Sequence, residues 1–137
     1  MKYISEFADI TKKLYKVEID TDKGSGTKNF ILSGTPFVTT MKSEDKHLYS
    51  PIKTTGATVT MLTDDLPFNV YSGKAQGTKV TLTSENKVLW VGYATPCMYD
   101  MGFDEHLEEL EIECVDGIAV LKEIPYNDNS HNVATFA

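Results

Sequence analysis

The chain has 137 residues, 41% hydrophobic and 24% charged, which suits one globular domain with a core of its own. No apolar run approaches the roughly 20 residues of a membrane-spanning helix, and "KYISEFADITKKLYKVEI" after Met1 offers no apolar core of about 7–15 residues for a signal peptide. A net charge of −7, with all thirteen basic residues lysine, argues against a nucleic-acid surface: phosphate binding rests on cations that displace counterions, and the arginine fork is missing entirely.

Short runs rich in Thr, Val, Ile and Tyr, broken by Gly, Pro, Asn and Asp about every ten residues, predict a mainly β fold, an antiparallel barrel or sandwich-like domain with one short helix. The first run, "LYKVEID", buries the face of Tyr15, Val17 and Ile19. "TDKGSGTKN" follows as a hairpin tip leading into "FILSG". From Thr35 to Tyr49 periodicity fades and charge gathers, which predicts an extended edge segment and a solvated "SEDK" loop. In "TTGATVTML", Ala57, Val59 and Met61 alternate with Thr58, Thr60 and Leu62 as a strong strand, ended by Asp64 and Asp65. "LPFNVYSGKAQG" reads as a connection with one helical turn. "TKVTLTSENKVLWVGYATP" then forms a hairpin around Ser84-Glu85-Asn86, with Val80 and Leu82 opposite Val88, Leu89 or Trp90 according to register, and Pro96 ends it.

The acidic segment "GFDEHLEELEIECVDG" has two periods. As a helix it aligns Phe103, Leu107, Leu110 and Cys114; as a strand it sends Leu110, Ile112 and Cys114 inward and Glu109, Glu111 and Glu113 outward. The β character upstream favours a strand from about Glu108 to Val115, pairing back onto "VLWVGYATP", with Lys79 and Lys87 as candidates to face the glutamates. Such a row is a solvated strand face before it is an acid–base centre.

Motifs that carry chemistry are weak throughout. His106 sits beside the carboxylates, but no H-x-x-x-H or C-x-x-C spacing accompanies it, so no metal is implied; His47 and His131 read as loop residues. Asp64-Asp65 lacks the glycine-punctuated calcium loop, and "KGSGTKN" fails the phosphate-loop pattern. No G-x-S-x-G elbow is present, and Cys97 has no evident base. Cys97 and Cys114 are expected to stay reduced. Trp90, Tyr93, Tyr99, Phe103 and Tyr126 form an aromatic cluster that suits a core and a protein interface better than a stacking platform. Neither a catalytic residue nor a cofactor site emerges.

The order "YSPI…TTGATVTML" and then "KVTLTSENKVLWVGYATPCMYDMGFDEHLEELEIECVDGIAVLKEIPY" resembles the N-terminal domain of large tail proteins from phages and prophages of Bacteroides-type bacteria. The resemblance rests on a W-x-G-[YF]-x-x-P segment, here Trp90, Gly92, Tyr93 and Pro96, and on a strand closing with [AC]-x-D-G-[LI], here Cys114, Asp116, Gly117 and Ile118. It covers about Tyr49 to Tyr126. It implies a hub- or baseplate-like structural module of a virion tail, made in the bacterial cytoplasm and joined to other tail proteins in a homo-oligomeric ring, with no direct nucleic-acid binding, no membrane and no enzymatic activity. The alternative is a carbohydrate-binding or glycoside-hydrolase-like module that uses the acidic segment.

The expected domain spans 1–126. Residues 127–137, a polar turn and the start of "NVATFA", read as a segment continuing into a longer polypeptide. Asp116-Gly117 is expected to cap a helix over "GIAVLKE", folding Ile118, Val120 and Leu121 onto the sheet. An acidic row lining a ring would repel DNA phosphates, which suits the glutamates to such a face.

Overall fold

The computed structural model describes residues 1–42, 53–63, 67–74, 76–95 and 108–120. Its strands are β1 (Lys2–Ala8), β2 (Leu14–Thr21), β3 (Thr27–Asn29), β4 (Ile31–Lys42), β5 (Thr54–Thr63), β6 (Thr78–Ser84), β7 (Lys87–Ala94) and β8 (Glu108–Asp116). Among the described residues two short helical segments, α1 (Pro67–Val70) and α2 (Gly117–Val120), follow β5 and β8. The fold is mainly β, as the residue pattern implies. All strands join one sheet in the order β3-β1-β2-β6-β7-β8-β5-β4, antiparallel except where β3 runs parallel to β1. Its two edge strands are consecutive in the chain, and Phe30 between them donates its amide to the Ile4 carbonyl, so the sheet curls until its ends approach. The ladder does not close. Of the two expected architectures the sandwich-like one fits, because β4 turns away from β1 after Phe30 and pairs with β5 instead.

A strand buried on one face alternates, and the core follows that rule. Val17 and Ile19 of β2, Val59 and Met61 of β5, Val80 of β6 and Ile112 of β8 are sealed from solvent in one cluster. Each such side chain contributes roughly 1.5–3 kcal/mol on burial. Tyr15 packs on the cluster's margin. The β6–β7 register sets Val80 against Gly92 and Leu82 against Trp90, with an irregularity that leaves Leu89 without a partner and Val88 against Thr83. Glu85 and Asn86 both take positive φ (51° and 65°), the two-residue turn whose twist suits a hairpin.

Three expectations need correction. β1 was not anticipated, and it takes the flank of β2 where "FILSG" was expected to pair. The 22–26 loop is therefore a crossover that lays β3 alongside β1, with Gly24 (φ 69°) and Gly26 (φ 109°) supplying conformations other residues resist. Second, β8 pairs along most of its length with β5 and meets β7 only at Gly92, Tyr93 and Ala94. The third concerns Lys79 and Lys87, which do not face the glutamates: Lys79 lies opposite Tyr93 and Asp20, and Lys87 opposite Ser84.

Beyond the described residues lie the "SEDK" loop, His47, Asp64, Asp65, Pro96, Cys97, Tyr99, Phe103, His106, Leu107, Leu121, Tyr126, His131 and the whole of 127–137.

Candidate functional site

Four of the residues carrying the resemblance meet where β5, β7 and β8 converge. The antiparallel register sets Gly92 against Asp116 and Tyr93 against Val115. Trp90 lies two residues before Gly92 on the same face, and its indole folds back over the glycine. A Cβ on Gly92 would stand 2.2 Å from the ring's Cη2 and 2.4 Å from the Val115 carbonyl, so only glycine fits there. Phe37 of β4 meets the indole edge to face, with ring centroids 5.7 Å apart.

Thr55 joins these parts. The Trp90 Nε1–H donates to Thr55 Oγ1 (3.2 Å), and that hydroxyl donates to Asp116 Oδ2 (3.0 Å). The Thr55 amide donates to the same carboxylate oxygen. Asp116 Oδ1 accepts from the Ala119 amide (2.9 Å), which is the N-cap bond expected of Asp116-Gly117. Burial would raise the Asp116 carboxyl, but the Thr55 and Ala119 amides and the Thr55 hydroxyl outweigh it and hold the group below its ordinary value. Helix α2 is described over Gly117–Val120, and the rest of the expected "GIAVLKE" lies outside the described residues. Val120 is buried against the sheet, whereas Ile118 is turned outward and half exposed.

The carboxylate row stands as the strand period requires. Leu110, Ile112 and Cys114 are buried while Glu109, Glu111 and Glu113 are exposed. Opposite the glutamates on β5 stand Leu62, Thr60 and Thr58, and the Ser33 hydroxyl of β4 donates to Glu109 Oε1. Carboxylates that cleave a glycosidic bond converge across a cleft; these three lie in file on a solvent-facing strand. Beside them a shallow cavity of about 210 Å³ is lined by threonines of β4 and β5, by Thr95 and by Glu113. Cys114 is buried, its Sγ lying 3.7 Å from the Ile112 carbonyl oxygen to which it donates, and Trp90 is turned inward rather than presented as a platform. Among the described residues no group of three His, Cys, Asp or Glu could hold a metal ion, and no helix is long and apolar enough to cross a membrane.

One feature escaped the sequence reading, the turn joining β1 to β2. Asp9 Oδ1 accepts from the Thr11 amide (2.7 Å), the Thr11 hydroxyl (2.6 Å) and the Lys13 amide (3.0 Å), and Asp9 and Lys13 are further joined through their backbones. The Thr11 hydroxyl, ahead of the Lys13 amide, holds the Asp9 carboxyl below its ordinary value. The locked loop presents Ile10 fully to solvent, at 102% of its reference exposure. An aspartate two residues before a threonine was its only written signal.

No family model, no curated protein and no solved structure matches the chain.

Proposed function

We propose that this domain is a structural component of a phage or prophage tail, a hub- or baseplate-like module that acts by protein–protein contact and not by catalysis. The carrying observation is the outer surface of β4, β5 and β8, where apolar and acidic side chains alternate in rows. One row runs Val38, Thr58, Glu113 and another Ile31, Leu62, Glu109. Val38 and Ile31 are exposed at 45% and 57%. Large apolar groups held in water beside carboxylates suit the centre and rim of a protein interface better than a small-molecule site, which takes a deep, mostly apolar cavity. The meeting of Trp90, Gly92, Tyr93 and Asp116 supports the reading too, because it gives the resembling segments a shared structural reason to occur together. The tail proteins are the partners, copies of the same chain among them, and the acidic face disfavours contact with DNA phosphates.

Immunogold labelling with antibody against the purified chain tests this on particles released from the host culture. Label is expected on tails, at a fixed number of copies per particle. Label confined to host cytosol, with purified particles free of the chain, would refute it.

A further inference from the structure

We infer that the Ile10 turn is a preformed docking knob for a second copy of this chain, and that it seats on the outer surface of β4, β5 and β8. The inference rests on the assembly reading above and names the surfaces that would meet.

Ile10 is the most exposed large apolar residue among those described, and it does not stand alone. Antiparallel pairing of β2 with β6 sets Tyr15 against Ser84, and the Ser84 hydroxyl donates to the Leu14 carbonyl (2.8 Å), so the β1–β2 and β6–β7 turns lie side by side. Leu14 (63%), Val88 (54%) and Leu89 (46%) are therefore exposed at the same end as Ile10. A loop tip left in water by accident is ordinarily polar and mobile. This one is held by three donors on one carboxylate oxygen, so little conformational entropy remains to be lost on docking.

Charge selects the occupant. Lys12, Lys13 and Lys87 frame the apolar tip; its own carboxylates are Glu85 and Asp9, the latter already engaged by Thr11 and Lys13. The β4-β5-β8 surface carries the complementary set: exposed Ile31 and Val38, then Glu109, Glu111 and Glu113, with no lysine opposite them in the register. The cavity of about 210 Å³ beside Glu113 has room for a branched aliphatic side chain. Knob and seat occupy different parts of the sheet, so the contact joins unlike surfaces, and successive copies add head to tail.

Sedimentation velocity on the full chain, over a concentration series at low and high salt, provides the test. Wild type is expected to associate with concentration and to weaken as salt rises. Ile10→Ser, whose side chain touches no core residue, keeps the wild-type urea midpoint and weakens association about tenfold or more. K12E/K13E and E111K/E113K each stay monomeric alone, while their equimolar mixture associates, because the unchanged basic tip of the second meets the unchanged acidic face of the first and the two reversed surfaces also match. A wild-type monomer throughout, an unaffected Ile10→Ser, or a mixture that fails to associate overturns the inference. So does a chain that stays monomeric yet pellets with anionic lipid vesicles through Ile10. Chain found in tails despite such a result leaves the assembly reading intact; self-association with no chain in tails removes that reading alone.

Discussion

Asp116 and Asp9 use the same chemistry to opposite ends. Each carboxylate accepts from two amides and one threonine hydroxyl, Asp9 from the Tyr15 hydroxyl as well, and each is held below its ordinary value. The donors of Asp116 come from Thr55, 61 residues away, and from α2, so that carboxylate ties β5 and β8 to a helix and, through the Thr55 hydroxyl, to Trp90 of β7. All of Asp9's donors lie within six residues, so it shapes one turn and the start of the strand that follows it. A long-range polar node stabilises the sheet; a local one fixes what the sheet displays. Stability and function are thereby placed in different parts of the molecule, and substitutions should separate them.

The largest loss is expected at Gly92→Ala. Its Cβ would have to displace both the indole and the Val115 backbone, which costs about 3 kcal/mol in urea unfolding and shifts the Trp90 fluorescence. Asp116→Ala comes next. It strands the Thr55 and Ala119 amides in a partly exposed setting, for a loss of about 2 kcal/mol by the same measurement. Both belong to the node, and neither variant should change surface contacts once it has folded.

The pH dependence sharpens the same contrast. A carboxyl whose folded pKa lies below its unfolded value of about 3.9 adds stability that is full above that value and lost as pH falls through the folded pKa. Stability curves of wild type and Asp116→Asn should thus converge below about pH 4, where the wild type loses the advantage of its charge. A constant gap between them at every pH would contradict the role given to Asp116. The smallest stability effect belongs to Asp9→Ala. Its unfolding midpoint should stay near wild type, while hydrogen exchange at the Thr11 and Lys13 amides accelerates, since both lose their acceptor.

What could be read in the sequence follows the same division between short and long range. The alternation of β8 and the N-cap at Asp116 are written within a few residues, so the inward Leu110-Ile112-Cys114 face and the start of α2 were legible. Trp90, Gly92, Tyr93, Asp116 and Gly117 could be picked out, but not the reason they belong together. That reason is Thr55, which no spacing connects to the others, 35 residues before one partner and 61 before another. The principal partner of β8 was misjudged because sequential neighbours usually pair, whereas the chain reaches past β6 and β7 to β5. β1 was missed although Tyr3, Ser5 and Phe7 keep a strand period, because Ser5 interrupts the apolar signal. Ile10 was illegible for another cause: an isoleucine in "FADITKK" looks like core, and only the geometry of the turn turns it outward.

Hydrogen exchange on the free chain and on the same chain within purified tails tests the central division most directly. Added protection is expected at residues 9–14 and along the outer rows of β4, β5 and β8, with the amides around Asp116 and Gly92 unchanged. Identical exchange at both surfaces in the two states, or new protection confined to the node, would contradict it.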